Sequence, residues 1–321
     1  MLRINRQIKL STIYILMVSI VFAFLHGSGF YGYGSDFYAA YQIPNITWGG
    51  LFNRLGWGIA TLTINGIHIG VHLVTLILSL STGFLIREHI KFKKTYSLIL
   101  FLLIYFTAIH TWPVIMSTSN AMRQGIAMSL IFLAFVAGSR KSFFWMFFFS
   151  FASIFMHGTG LLLFMTLIFS YFVNYFLANY SFKIKIFINF LMGICLFISA
   201  YFFLKLVTLV DMAEPSRIIR GDFRWAFLTI GAIYIALSFT NKSFLSNTFN
   251  LSLYYFSFIA PTLFMNGLNW QYERLGMMML IPFILAFGSI LNRVSYTIYL
   301  IIVYVALLFL TIYMGMYASL E

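Results

Sequence analysis

Charge is what this chain has least of. Of its 321 residues 8% are Asp, Glu, Lys or Arg, and seven are acidic, against 62% hydrophobic. No soluble domain can hide that much apolar surface, so the sequence takes the bilayer as its solvent. Between the apolar runs there is no stretch long enough for a separate soluble domain, which leaves a single polytopic transmembrane domain over 1–321. Alternation over about ten residues is also missing, which excludes a transmembrane barrel. Cysteine occurs once, as Cys195 within an apolar run, so neither a disulfide nor a thiolate metal site is available and the residue reads as packing. The sequence holds no P-loop, no Gly-x-Ser-x-Gly and no Asp-x-Asp pair. His68 and His72 are spaced i, i+4, but no Glu or third ligand follows them, so no metal is expected.

What is present is a series of roughly 16–25-residue apolar runs from one end to the other. They predict an all-α polytopic membrane protein with spans over 10–25, 67–86, 95–111, 123–138, 143–156, 159–177, 184–208, 225–240, 249–265, 275–291 and 297–315. That makes about eleven transmembrane helices, within a range of about 10–12. The segment 51–64 reads as a short amphipathic or re-entrant helix. The N-terminus starts basic (Arg3, Arg6, Lys9) and turns apolar to residue 25. Further spans follow it and no small-x-small cleavage site ends it, so it reads as an uncleaved first span.

In a soluble protein the net charge of +13 would suggest nucleic acid. Here the basic residues fall mainly in short loops, so they report orientation instead. With the N-terminus in the cytoplasm, the inner side holds Arg3, Arg6, Lys9, Arg87, Lys91, Lys93, Lys94, Arg140, Lys141, Lys183, Lys185, Lys242 and Arg293. The outer side holds Arg54, Arg123, Arg217, Arg220, Arg224 and Arg274, and Lys205 snorkels from within a span. Every outer basic residue is arginine. All the acidic residues except Glu88 also fall outside: Asp36, Asp211, Glu214, Asp222, Glu273 and Glu321. Orientation alone would leave the outer side poor in Arg. Arginine presents a planar fork suited to phosphate or carboxylate and stays charged in a dry site, so the extracytoplasmic loops are expected to carry the function.

Five outer segments carry candidate residues. "TSNAMRQGIAM" opens a span with Arg123 and Gln124, and 16 residues from 123 to 138 make about 24 Å of helix against a hydrocarbon core of about 30 Å. Arg123 is therefore expected below the outer interface, in a protein-lined cavity, although a snorkelling arginine at a helix end would show the same pattern. "IFMHGTGLLLF" places His157 in a tight turn after a span of about 21 Å, where histidine's ordinary pKa of about 6.5 suits a general base. "GYGSDFYAAYQ" offers Asp36, with Tyr38 and Tyr41 able to stack on sugar or to sit at the interface. In "DMAEPSRIIRGDFRW", Arg217, Arg220 and Arg224 would share one helix face, facing either a bulky anion or lipid headgroups. "NWQYERLG" brings Glu273 and Arg274 beside Trp270 and Tyr272. Adjacent helical residues do not face one another, so the two charges are not a simple pair. Tryptophans 48, 57, 112, 225 and 270 fall at the outer edge, as an aromatic belt would.

In order and content these segments resemble the EpsG/Wzy-type membrane polysaccharide polymerases. "GSDFYAAY" is similar to that family's early Asp-aromatic-x-x-Tyr loop, and "NAMRQGIAMSLIFLAF" to its Asn-x-x-Arg-Gln-Gly segment opening a span. "ASIFMHGTGLLLF" is similar to the Phe-x-His-x-(Ser/Thr) turn, and "YERLGMM" to a late arginine before the closing spans. The likeness covers most of the chain and is sharpest over 120–160. It implies a polymerase of the bacterial inner membrane that joins undecaprenyl-diphosphate-linked oligosaccharide repeats at the periplasmic face, for O-antigen, capsule or exopolysaccharide. Arg123 and Arg274, with Arg217, Arg220 and Arg224, would grip the donor diphosphate. His157 or Asp36 would take the proton from the acceptor hydroxyl. Gln124, Asn120, Tyr38, Tyr41, Trp270 and Glu273 would support these groups or contact sugar. The leaving diphosphate supplies the energy, so no cofactor is expected. The implied partners are the lipid-linked glycan, and a chain-length regulator and flippase of the same pathway. Two other classes stay open: a different glycan-modifying transferase, such as an O-antigen ligase or an acetyltransferase, and a flippase or transporter of an anionic lipid-linked substrate. A flippase would need charges deep in both halves of the spans, whereas here they gather at one face.

Overall fold

A computed structural model describes residues 2–33, 37–42, 54–90, 96–210, 223–291 and 293–313. Among the described residues its regular structure is helical apart from one hairpin of two two-residue strands. In chain order come α1 (Leu2–Gly27), a π-helical turn (Phe37–Tyr41), α2 (Arg54–Ala60), β1 (Thr63–Ile64), β2 (Ile67–His68), α3 (Gly70–His89), α4 (Tyr96–Ile109), α5 (Trp112–Ser119), α6 (Met122–Ser139) and α7 (Phe143–Met156). They are followed by α8 (Thr159–Phe176), α9 (Phe182–Val210), α10 (Arg224–Thr240), a 3-10 turn (Lys242–Leu245), α11 (Thr248–Met265), α12 (Asn269–Gly288) and α13 (Arg293–Tyr313). Each of the eleven expected windows holds one of these helices. Among the described residues, six helices are long and apolar enough to cross a membrane: α1, α3, α6, α8, α9 and α13. A seventh crossing arises if the bent pair α4–α5 is one span. The chain is thus an all-α protein with several membrane-grade helices.

The chain forms two compact units, residues 1–164 with 291–321, and residues 165–290. In the first unit α3 packs against both α1 and α6, and α6 packs against α7. The ends of these helices fall into two groups. At one end Arg140 donates twice to Glu88, at 3.0 and 2.8 Å, and Arg87 bonds Thr12. At the other end lie the start of α3, the α5–α6 break, α2 and the end of α7.

Two local departures from the expected spans matter for that second end. The third span was expected to end at 111 and the next to begin at 123, but α5 intervenes, bent by 51° from α4. Thr111 is extended at the N-cap and Pro113 lies in the first turn, where a missing N–H costs nothing and the fixed φ starts a new helix. The second span was expected from residue 67, yet 67–68 pairs as a strand with 63–64. Asn65 (φ 50°) and Gly66 (φ 80°) both take the left-handed conformation of a type I′ hairpin turn, for which Asn-Gly is the preferred dipeptide. α2 precedes this hairpin, within the segment expected to hold a short amphipathic or re-entrant helix.

In the second unit α11 is the central helix, packed on α9, α10 and α12. Tyr255 Oη bonds Asn189 of α9, and Tyr234 Oη of α10 donates to the Asn250 carbonyl at 3.2 Å. These bonds satisfy phenol groups that burial would otherwise leave without water.

Candidate functional site

Arg123 lies in the first turn of α6, whose N-cap is Ala121. Alanine has no side-chain oxygen, so nothing on the cap satisfies the first-turn N–H groups in the usual way. The Arg123 guanidinium carbon sits 4.0 Å from the centre of the Trp57 ring, within cation–π range. The Arg123 Nε is buried and has no hydrogen-bond partner among the described residues. No carboxylate among them pairs with Arg123 either. Trp57 is itself fixed: it is 4% exposed and its ring centre is 5.1 Å from that of Tyr41. Beneath the pair lies an apolar cluster of Phe37, Tyr41, Trp57, Ala60, Val71, Val74, Met122 and Ile126. The stack is therefore anchored from the π-helical turn, α2, α3 and α6 at once.

Two close backbone approaches hold these elements. A Cβ on Gly125 would lie 2.0 Å from the Ser117 carbonyl oxygen, so the start of α6 rests directly on the end of α5. A Cβ on Gly56 would lie 2.1 Å from the Met156 carbonyl oxygen. Glycine at position 56 lets α2 touch the end of α7, the turn that carries His157, while the neighbouring Trp57 reaches Arg123. One seven-residue helix thus joins the two most distinctive segments of the sequence.

His157 closes α7 as its C-cap residue. Its Nδ1 accepts from the Thr159 backbone N–H at 3.2 Å and lies 2.8 Å from Thr159 Oγ1. Because an amide N–H can only donate, the neutral ring carries its proton on Nε2. In this turn His157 is a donor through Nε2, and its one lone pair is spent on the start of α8.

Tyr38 is exposed and stacks edge-on to Phe37, whereas Tyr41 is 4% exposed and belongs to the Trp57 stack. Gln124 is buried at 1% exposure. Asn120 is the C-cap residue of α5 and is half-buried at the break. Asp36, Arg217 and Arg220 lie outside the described residues, and of Trp270 only the helical backbone is described. Arg224, Glu273 and Arg274 belong to the second unit. Arg224 Nε is 3.8 Å from Glu273 Oε1, so the carboxylate beside Arg274 in sequence faces α10 instead. Glu273 is 8% exposed, and Arg224 thereby has a carboxylate neighbour of a kind that Arg123 does not have among the described residues.

Several residues at the first site escaped sequence reasoning. Trp57 looked like one more belt tryptophan. His68 and His72 were set aside for want of a third metal ligand; His68 lies on β2, and its Nε2 donates to the Tyr41 carbonyl at 3.1 Å. Burial lowers the His68 pKa and outweighs that bond, which acts to raise it. His26, at the end of α1, is fully buried and its Nε2 bonds Thr118 Oγ1 of α5. The Asn65-Gly66 turn was the one sequence signal that could have placed His68 beside the site. Nothing local could have placed His26. Among the described residues no three of His, Cys, Asp and Glu are grouped to hold a metal ion. Compared with protein-family models, with curated proteins and with solved structures, the chain matches none.

Proposed function

We propose that the chain is a membrane glycan polymerase of the EpsG/Wzy type, with eleven spans and a cytoplasmic N-terminus in the bacterial inner membrane. It transfers undecaprenyl-diphosphate-linked repeat units onto one another at the periplasmic face. The observation that carries this reading is Arg123 in the uncapped first turn of α6, laid on Trp57 with no carboxylate partner among the described residues. A guanidinium oriented by a ring face, beside the positive end of a helix dipole, suits a phosphate oxygen. The resemblance of "NAMRQG" and "FMHGTG" to that family supplies the substrate class.

In this reaction the acceptor hydroxyl oxygen attacks the anomeric carbon of the donor sugar, and the bond from that carbon to the diphosphate oxygen breaks. Arg123 stabilises the charge growing on the leaving diphosphate. The acceptor proton passes to a base. His157 Nδ1 accepts from the Thr159 amide, so of the two candidates Asp36 takes the proton. Gln124 supports the Arg123 turn.

Complementation of a polymerase-null strain, with surface polysaccharide resolved on a gel, tests the reading. The parent protein restores a ladder of chain lengths, and Arg123→Ala at equal protein level leaves single-repeat chains. A full ladder from Arg123→Ala, or no ladder from the parent protein, rejects it.

A further inference from the structure

The arginine segment is held from below by a group that the proposed chemistry does not use. His26 ends α1 and is fully buried. Its ring stacks on Phe22 with centres 5.7 Å apart and planes 4° apart, and the Tyr31 ring lies 5.6 Å away. Its Nε2 is bonded to Thr118 Oγ1, three residues before Ala121. The Thr118 hydroxyl donates its own proton to the Ile115 carbonyl at 2.7 Å. A hydroxyl has one proton, so toward His26 it can only accept, and the His26 proton sits on Nε2. The chain N–H → hydroxyl → carbonyl therefore runs one way, from α1 into the last turn of α5.

The direction matters because α5 is short, with eight residues, and Arg123 comes four residues after its last residue, Ser119. Gly125 of α6 rests on the carbonyl oxygen of Ser117, the residue before Thr118. A shift of the last α5 turn thus moves the floor on which the Arg123 turn stands. A packed apolar contact would tolerate sliding, whereas a buried hydrogen bond between fixed rings and a fixed hydroxyl has one register.

We propose that His26 is a positioning residue for Arg123, acting through Thr118: its Nε2–H sets the register of the α5–α6 break and so aims the guanidinium. This inference rests on the function proposed above for Arg123, while the latch itself can be read without it.

The test uses the full-length protein in lipid nanodiscs, with four variants. Thr118→Val keeps the shape and loses the hydroxyl, and Thr118→Ser keeps the hydroxyl. His26→Leu loses the donor, and His26→Gln keeps an N–H at the same reach. In steady-state repeat transfer, Thr118→Val and His26→Leu are expected to lose about 10-fold or more in kcat. KM for the acceptor should stay within about twofold, and Thr118→Ser and His26→Gln should recover most of the loss. The double variant His26→Leu/Thr118→Val should be no slower than the worse single variant, since both break the same link. Parental kcat in Thr118→Val, or no recovery in the conservative pair, overturns the proposal. Amide hydrogen exchange over residues 118–125 is measured on the same samples. Faster exchange in Thr118→Val but not in Thr118→Ser supports the latch, and equal exchange in all four variants and the parent overturns it. If Arg123→Ala transfers repeats normally, the function reading fails, and the exchange result alone decides whether the latch exists.

Discussion

Arg140 and Arg123 stand at the two ends of α6, and their surroundings are opposite. Arg140 is the C-cap residue, where the negative end of the helix dipole favours a cation, and it donates twice to Glu88. Its side chain is 51% exposed. Arg123 lies in the first turn, where the same dipole disfavours a cation, and its partner is the face of Trp57. One arginine is where simple electrostatics would put it, with its charge balanced by a neighbour. The other is held against the helix field by aromatic packing, with no carboxylate among the described residues to balance it. An arginine of the second kind is the one to suspect of binding an anion. Arg224 falls between the two, since Glu273 approaches it at 3.8 Å.

The largest effect should come from changing the shape of the charge while keeping its sign. Arg123→Lys removes the planar fork, and transfer should fall about 100-fold, as when a transition-state donor is lost. Arg140→Lys should leave it unchanged, and equal losses in the two variants would erase the distinction. Trp57→Leu keeps an apolar side chain but removes the ring face. Cation–π contacts are worth about 0.5–2 kcal/mol, so the loss in kcat/KM should lie between about 2-fold and 30-fold. An undiminished rate would show that Arg123 is aimed by other contacts.

A smaller effect is expected from pH at the hairpin beside this stack. Burial holds the His68 pKa below its ordinary value near 6.5. Above that value neither the folded nor the unfolded chain binds the proton, and stability is complete. As pH falls through about 6.5 the unfolded chain takes up the proton first, so stability declines. Thermal unfolding in nanodiscs should show a lower midpoint at pH 5.5 than at pH 7.5, and His68→Gln should flatten part of that difference. A slope unchanged by His68→Gln would assign the effect elsewhere. The smallest effect belongs to the Arg140–Glu88 pair, where Glu88→Gln should cost at most about 1 kcal/mol in unfolding, as exposed pairs do.

The helices were legible because long apolar runs leave little choice in a bilayer. The expected 143–156 matches α7, and 123–138 differs from α6 by one residue at each end. Shorter elements were harder. α5 has eight residues and was read as loop, since its start depends on Pro113 and its burial on packing against α3 and α6. The β1–β2 hairpin is only four paired residues and hid at the edge of an apolar run. For the site, Arg123 and His157 stood out because a cation and an imidazole are costly beside lipid. Their surroundings did not, because Trp57, Tyr41, His68 and His26 come from separate elements and meet only through tertiary packing. The ordering of the His157 proton by the Thr159 amide likewise depends on turn geometry that composition does not carry.

The most direct measurement is binding of a lipid diphosphate by the purified protein in nanodiscs, comparing the parent with Arg123→Ala and Arg140→Ala. Undecaprenyl diphosphate, titrated by calorimetry, serves as the probe. The expected result is that Arg123→Ala weakens binding at least about tenfold, the size of a lost charge-assisted contact, while Arg140→Ala binds as the parent does. Equal affinity in the parent and Arg123→Ala would contradict the assignment of Arg123 as the diphosphate contact.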